Sequence, residues 1–135
     1  MGKEKLEALV RIKQLHVEPS SADEFESLIA SGKVRLFDSE NQTLSIESRF
    51  DLAYNSAHSL ALAALRRCGY RGVNRYLVFQ CLENTLGIPS KQWRVLATAH
   101  NKRNNAEYEG VFDVNEELVI AVIRVTKNML ELLEA

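Results

Sequence analysis

The sequence predicts an all-α fold: an up-and-down bundle of five to six helices in a single domain covering residues 1–135. Three observations lead to this prediction. Apolar residues recur at helical spacing along most of the chain, helix-start and helix-stop residues separate these stretches, and no stretch alternates convincingly like a strand. The short connections favour antiparallel neighbours. The chain is long enough to bury one core without disulfides or a metal.

Six stretches show helical periodicity. In order, they are residues 3–15, about 21–31, about 45–68, 73–86, 89 or 90 to 110, and a last stretch from about 113 to 133. Ser21 with Glu24, and Asp113 with Glu116, form the capping-box pattern at two of the starts. These patterns predict where the second and the last helix begin.

The stretch 45–68 is the longest, and we expect it to be the central helix. Its alanine-rich face would let a neighbouring helix approach closely. Before it, Gly32 is expected to end the second helix, and residues 33–43 are open between a helical turn and a brief extended piece. The last stretch contains many β-branched residues, but its length and capped start favour a helix over a strand.

Composition and charge restrict the class of protein. Apolar residues make up 46% and charged residues 26%, which are ordinary values for a globular domain and speak against a disordered tail or a membrane protein. The N-terminus lacks the apolar core of a signal peptide. Cys68 and Cys81 have no metal-type spacing and are expected to be reduced core thiols. We therefore expect a cytoplasmic protein.

The net charge of −1 provides no overall field that would attract nucleic acid, so RNA contact would depend on a local basic cluster. Arg66, Arg67, Arg71 and Arg75 surround the turn at residues 69–72. They could be solvated arginines at helix ends, where they interact favourably with the helix dipole, or RNA contacts. The first interpretation is the more ordinary one.

One predicted helix changes from an apolar to a polar inner face halfway along. At about 100° per residue, this face carries first Trp93, Leu96 and Ala97, then His100, Asn104 and Glu107, with Arg103 and Tyr108 flanking it. Ionisable side chains on an inner face need partners unless they line a site. The pattern therefore indicates a candidate functional site on this helix.

The central helix has a similar polar line, since Asp51, Tyr54, Asn55 and His58 follow one another at i, i+3, i+4 and i+7. If the two helices pack together, these lines can meet. The residues brought together in this way could support acid–base chemistry through a histidine, with Arg103 stabilising negative charge. It could equally form a buried structural network that sets helix register or a subunit contact.

The sequence gives little support for a metal site, a nucleophilic active site or a glycine-rich phosphate loop. Asp51, His58, His100 and Glu107 are able to bind metals, but no E-x-x-H or H-x-x-x-H pair lies on either helix, so neither a metal nor another cofactor is expected. Nucleophile signatures, a Walker-type loop and a dinucleotide glycine fingerprint are missing from the sequence.

The run H-N-K-R-N-N-A-E-Y-E-G, residues 100–110, resembles the signature of the HEPN superfamily of small helical bundles. Arg103-Asn104 matches the first half of that signature. Where RNase-type members have a histidine, this chain has Glu107 and Tyr108, as in a branch reading R-N-x-A-D/E-Y. The central helix, R-F-D-L-A-Y-N-S-A-H-S-L-A-L-A-A-L, is also similar to an aromatic-rich helix of the family with the pattern A-Y-x-x-A-x-x-A-x-x-A-L. The resemblance therefore covers roughly residues 45–110.

The resemblance implies a homodimer whose arginine motifs face each other across the interface. Such proteins often act as metal-independent endoribonucleases in toxin–antitoxin or defence systems, with a nucleotidyltransferase or an antitoxin as a common protein partner. The expected ligand is a nucleotide or RNA. The rival expectation is a non-catalytic module for dimerisation or partner binding, in which the same residues form an interface network.

Within the first expectation, Arg103, His100 and Glu107 are the candidate catalytic residues. Arg103 would contact phosphate, and His100 would supply the imidazole that the motif lacks. Glu107 could act as a base only if burial raised its pKa. The candidate ligand-binding residues are Asn104, Tyr108, Asp51, Asn55 and His58. Asn104 would orient the ligand, and Tyr108 would stack, donate a hydrogen bond, or be modified by a nucleotidyltransferase.

Overall fold

The computed structural model describes residues 2–110 and 114–135, with the backbone alone described at 107–109. It is an all-α helical bundle, as predicted. The helices are α1 Gly2–Arg11, α2 Ala22–Ser39, α3 Ile46–Arg67, α4 Arg75–Gln80, α5 Leu82–Thr85, α6 Ser90–Glu109 and α7 Glu116–Glu134, and two short strands are β1 Leu15–Val17 and β2 Tyr70–Gly72. No helix in this described part of the chain is long and apolar enough to cross a bilayer.

Helix α3 lies at the centre of the bundle, with α2 and α7 packed along it and α4 and α6 towards its N-terminal half. Its alanine-rich face is fully buried. The buried residues of this face are Ala53, Ala57, Leu60, Ala61 and Ala64. Val119, Val122 and Met129 of α7 are fully buried as well.

The prediction that Gly32 ends the second helix was wrong. Helix α2 continues through Gly32 to Ser39, so residues 33–39 are helical and only the end of the open segment is a turn. Gly32 is buried against α3, where an added methyl group would lie 2.5 Å from Leu60 Cδ2. Its carbonyl also accepts a 2.6 Å hydrogen bond from Ser56 Oγ. The glycine therefore serves close helix packing.

The expectation of no strands was also wrong in detail. Strands β1 and β2 pair antiparallel, with Leu15 opposite Gly72 and Val17 opposite Tyr70. Each has three residues, too few for an alternating pattern to be recognised. Leu15, expected in the first helix, is instead a buried strand residue. The pairing ties the segment after α1 to the turn after α3.

Several helix ends follow their local signals, and others do not. Ser21 Oγ accepts from the amide of Glu24, as predicted, and Gly110 ends α6 in the left-handed conformation with φ 70°. Segment 73–86 is split at Cys81 into α4 and α5. At the start of α7 the capping residue is Asn115, not the predicted Asp113, which lies outside the described residues.

The arginines around residues 69–72 differ in burial and in their partners. Arg66 is buried and forms ion pairs with Glu24 and Glu18, which also bind the half-exposed Arg71. Arg66 is therefore neither solvated nor accessible to RNA, so both interpretations were wrong for this residue. Arg67 lies over the ring of Phe25.

The cysteines are both free. Cys81 is buried as expected, whereas Cys68 is exposed at the end of α3 rather than in the core.

Candidate functional site

The polar lines of α3 and α6 meet beside α4. We call this group of side chains the Tyr54 cluster. Its members are Tyr54, Asn55 and His58 of α3, Arg75 and Tyr76 of α4, and His100, Arg103 and Asn104 of α6. Tyr54 is fully buried, and the other members are partly or more widely exposed. The cluster therefore lies at the edge of the core, where a ligand could reach some of its groups.

His100 is held between two hydrogen-bond partners. Its Nδ1 lies 2.9 Å from Tyr54 Oη, and its Nε2 lies 3.2 Å from Asn104 Nδ2. With the Asn104 amide nitrogen as donor, Nε2 accepts, and a neutral imidazole carries its proton on Nδ1, which donates to the Tyr54 oxygen. Asn104 is one helical turn beyond His100, so α6 itself brings these two side chains together.

Two arginines from different helices converge on the ring of Tyr54. The guanidinium carbon lies 5.5 Å from the ring centroid for Arg75 and 5.3 Å for Arg103. A cation at this distance from an aromatic face is attracted by about 0.5–2 kcal/mol, depending on its desolvation. Arg75 also donates to Asn55 Oδ1 at 3.4 Å. Both guanidinium carbons therefore lie within 5.5 Å of the centre of the same ring.

Both histidines of the cluster favour the neutral form. Burial lowers the pKa of His58 to about 4, and repulsion from Arg75, His100 and Arg103 adds to this effect. Burial is also the main reason why the pKa of His100 is lowered, with the positive charges of Arg75 and Arg103 contributing. Near pH 7 the cluster therefore presents neutral imidazoles beside two cationic guanidinium groups.

The predicted residues of α3 are only partly brought into the cluster. His58 packs edge-on against Phe79 with 6.0 Å between ring centroids. Asn55 turns its amide nitrogen back to the carbonyl of Asp51 at 2.8 Å and its oxygen to Arg75. The side chain of Asp51 is exposed, so Asp51 contributes a backbone acceptor to this region.

Glu107 and Tyr108 were predicted as site residues, but their side chains lie outside the described residues. Helix α6 continues through both positions.

Sequence reasoning missed two members of the cluster, Arg75 and Tyr76. In the sequence Arg75 belongs to the arginines near residues 69–72, and Tyr76 lies within the helical stretch 73–86. No local sequence signal predicts that Arg75 and Tyr76 lie close to Tyr54 and His100, because more than about twenty residues separate the two pairs along the chain. The ring of Tyr76 lies 6.3 Å from His100 and 6.1 Å from Trp93, between centroids.

Among the described side chains, no group of three or more histidines, cysteines and carboxylates is placed to hold a metal ion.

No family model, no curated protein and no solved structure matches this chain. The resemblance of residues 45–110 to the HEPN superfamily therefore stays a prediction.

Proposed function

We propose that this chain is a HEPN-like helical domain that binds the phosphate groups of a nucleotide or RNA at the Tyr54 cluster. The convergence of Arg75 and Arg103 on the ring of Tyr54 is the observation that supports this most. A guanidinium group presents a planar fork of donors that matches phosphate oxygens. The neutral, partly exposed His58 offers further hydrogen-bonding nitrogens. At His100 a ligand has to replace Tyr54 or Asn104, which already occupy its two ring nitrogens.

Metal-independent cleavage of RNA is a second candidate function, favoured by the neutral His100 close to Arg103. In this step His100 Nε2 takes the proton of a ribose 2′-hydroxyl, whose oxygen attacks phosphorus. The 5′ oxygen of the next nucleotide leaves and takes a proton from water, and His100 returns its own proton to the hydroxide that remains. The products are a 2′,3′-cyclic phosphate and a free 5′-hydroxyl. Arg103 stabilises the charge on the phosphorane.

This mechanism requires a hydrogen bond of His100 to be exchanged when RNA binds. The 2′-hydroxyl has to replace Asn104 at Nε2 of His100, since that nitrogen already accepts a hydrogen bond. His58 is the weaker candidate for the base, because a pKa of about 4 leaves it little affinity for a proton near neutral pH. The catalytic role of Glu107 and the ligand contact of Tyr108 rest on the HEPN resemblance.

The same resemblance suggests a homodimer with the cluster near the interface, and an antitoxin or a nucleotidyltransferase as partner. The rival proposal is a module for dimerisation or partner binding without catalysis. The hydrogen bonds among Tyr54, His100 and Asn104 are compatible with such an interface network.

Binding of a labelled single-stranded RNA in the presence of a chelator tests the first proposal. We expect Arg103→Ala and Arg75→Ala each to weaken binding by about tenfold or more, since a charge-assisted hydrogen bond contributes about 1.5–3 kcal/mol. The slope of affinity against salt should become less steep. Arg94→Ala is the matched control, because it removes an exposed arginine that lies over Trp93 on the same helix. No RNA binding by the wild type, or an equal loss in all three variants, would reject the proposal.

Cleavage and assembly are measured on the same variants. If the chain is a nuclease, RNA is cut in chelator to cyclic-phosphate ends, and His100→Ala and Arg103→Ala abolish the cutting. Full activity in both variants would exclude this mechanism. If the rival proposal holds, Arg103→Ala instead dissociates the dimer or lowers the melting temperature, with no RNA phenotype.

A further inference from the structure

Tyr76 is an aromatic residue that is held in place but not covered. It is 41% exposed, although its ring packs edge-on against Trp93 at an interplanar angle of 89° and lies tilted at 60° to His100. Trp93 is itself buried, and its Nε1 donates to Glu83 Oε1 at 2.6 Å. The residue that Tyr76 packs against is therefore held in place, while Tyr76 itself stays partly accessible to solvent.

We infer that Tyr76 stacks with the base of an unpaired nucleotide whose phosphate is bound by Arg75 and Arg103. This inference rests on the proposed function and specifies its ligand as single-stranded. Arg75 lies over the ring of Tyr54, Tyr54 is hydrogen-bonded to His100, and the ring of Tyr76 lies 6.3 Å from that of His100. A cation for phosphate and an aromatic surface for a base therefore lie next to the same pair of side chains.

Stacking favours an unpaired base for a physical reason. In a duplex both faces of each base are covered by its neighbours, whereas in a single strand or a loop a base can turn out and lie against an aromatic side chain. Each such contact is worth about 1–3 kcal/mol and is tolerant of sequence, because every base has a π-face. The expected ligand is therefore a single-stranded segment of little sequence specificity.

The experiment measures the affinity of the full chain for three probes: a short labelled single-stranded RNA, the same sequence as a blunt duplex, and inorganic pyrophosphate. Tyr76→Ala should weaken binding of the single strand about 5- to 150-fold. Its affinity for the duplex and for pyrophosphate should stay within about twofold of the wild type, because these ligands present phosphate without a free base. Tyr76→Trp should retain the single-strand affinity.

Phe37→Ala is the matched control, since Phe37 is an aromatic residue of α2 that is 79% exposed and not part of the cluster. It should change none of the three affinities. Arg103→Ala should weaken all three, which reports on phosphate binding separately.

The possible results separate the two levels of the proposal. If Arg103→Ala weakens binding but Tyr76→Ala does not, phosphate binding stands and the stacking role is overturned. If Tyr76→Ala lowers the affinity for all three probes equally, its effect is structural and the inference fails. If Tyr76→Ala changes the oligomeric state and no affinity, Tyr76 is a protein contact and the inference fails. If no probe binds the wild type, the proposed function itself fails.

Discussion

Replacing Arg66 by alanine should destabilise the fold much more than replacing Arg71, although both arginines bind the same two glutamates. Glu18 and Glu24 each contact both guanidinium groups. The side chain of Arg66 is 2% exposed and that of Arg71 is 37% exposed. The comparison therefore separates the effect of burial from that of the ionic partners.

The magnitude for Arg66 follows from the groups it would leave behind. It donates to Glu24 Oε1 at 2.8 Å and to three backbone carbonyls, those of Glu18 at 2.8 Å, Pro19 at 2.6 Å and Tyr70 at 3.2 Å. Glu18 and Glu24 keep water and Arg71 as partners, because their side chains are 45% and 31% exposed. The loss therefore falls mainly on the three carbonyls. A buried acceptor left without its donor costs about 1–3 kcal/mol, and two of these three contacts are only partly buried, so the total is about 3–5 kcal/mol. We expect a loss in this range for Arg66→Ala.

For Arg71→Ala the expected loss is about 0–1 kcal/mol, since its ion pairs are largely solvated. Urea unfolding followed by circular dichroism measures both values. The midpoint should fall at unchanged slope, and the melting temperature of Arg66→Ala should be lower by roughly 10–20 °C. Should Arg66→Ala fail to fold, Arg66→Lys retains the charge and allows the comparison. Equal losses for the variants at the two positions would refute the reasoning from burial.

Three further predictions concern stability. The pKa of His58 is about 4 in the fold and about 6.5 when unfolded, so the unfolded chain binds more protons between these values. The free energy of unfolding should therefore fall by up to about 3 kcal/mol as the pH drops from 6.5 to 4, and a His58→Gln variant with the same pH profile would contradict this cause. Gly32→Ala should lower the melting temperature. Crowding against the buried Leu60 costs about 1–3 kcal/mol, which outweighs a gain of about 1 kcal/mol in helix propensity. A stabilised variant would show that α2 can shift away from Leu60. Asn115→Ala should cost about 1 kcal/mol in urea unfolding, since its Oδ1 caps the amide of Leu118 at 2.8 Å, and no change would mean that the cap contributes nothing.

Helices α2 and α6 show how far local signals reach. The Ser21 cap and the left-handed Gly110 act within one helical turn, so the residues around them were sufficient to predict a helix start and a helix end. Gly32 carries the same local signal as Gly110, yet α2 continues through it, because contact with Leu60 and Ser56 across the helix interface outweighs its tendency to stop a helix.

The candidate site divides in the same way. Helical spacing predicted that Asn55 and His58 share a face of α3 with Tyr54, and that His100 and Asn104 share one of α6. Spacing along one helix says nothing about which other helix will pack against it. The contact of Tyr54 with His100 joins residues 46 positions apart, and the approach of Arg75 depends on the turn that leads from α3 to α4.

The sequence by itself therefore determined the all-α class, most helix positions and two polar faces, because periodicity and capping are interactions between residues close together in the chain. Only the tertiary structure decided that Arg66 is buried, that residues 15–17 pair with 70–72, and that α4 brings Arg75 and Tyr76 beside the two polar faces. The physical reason is that burial and long-range contact depend on how all the helices pack at once, which no local stretch of sequence specifies.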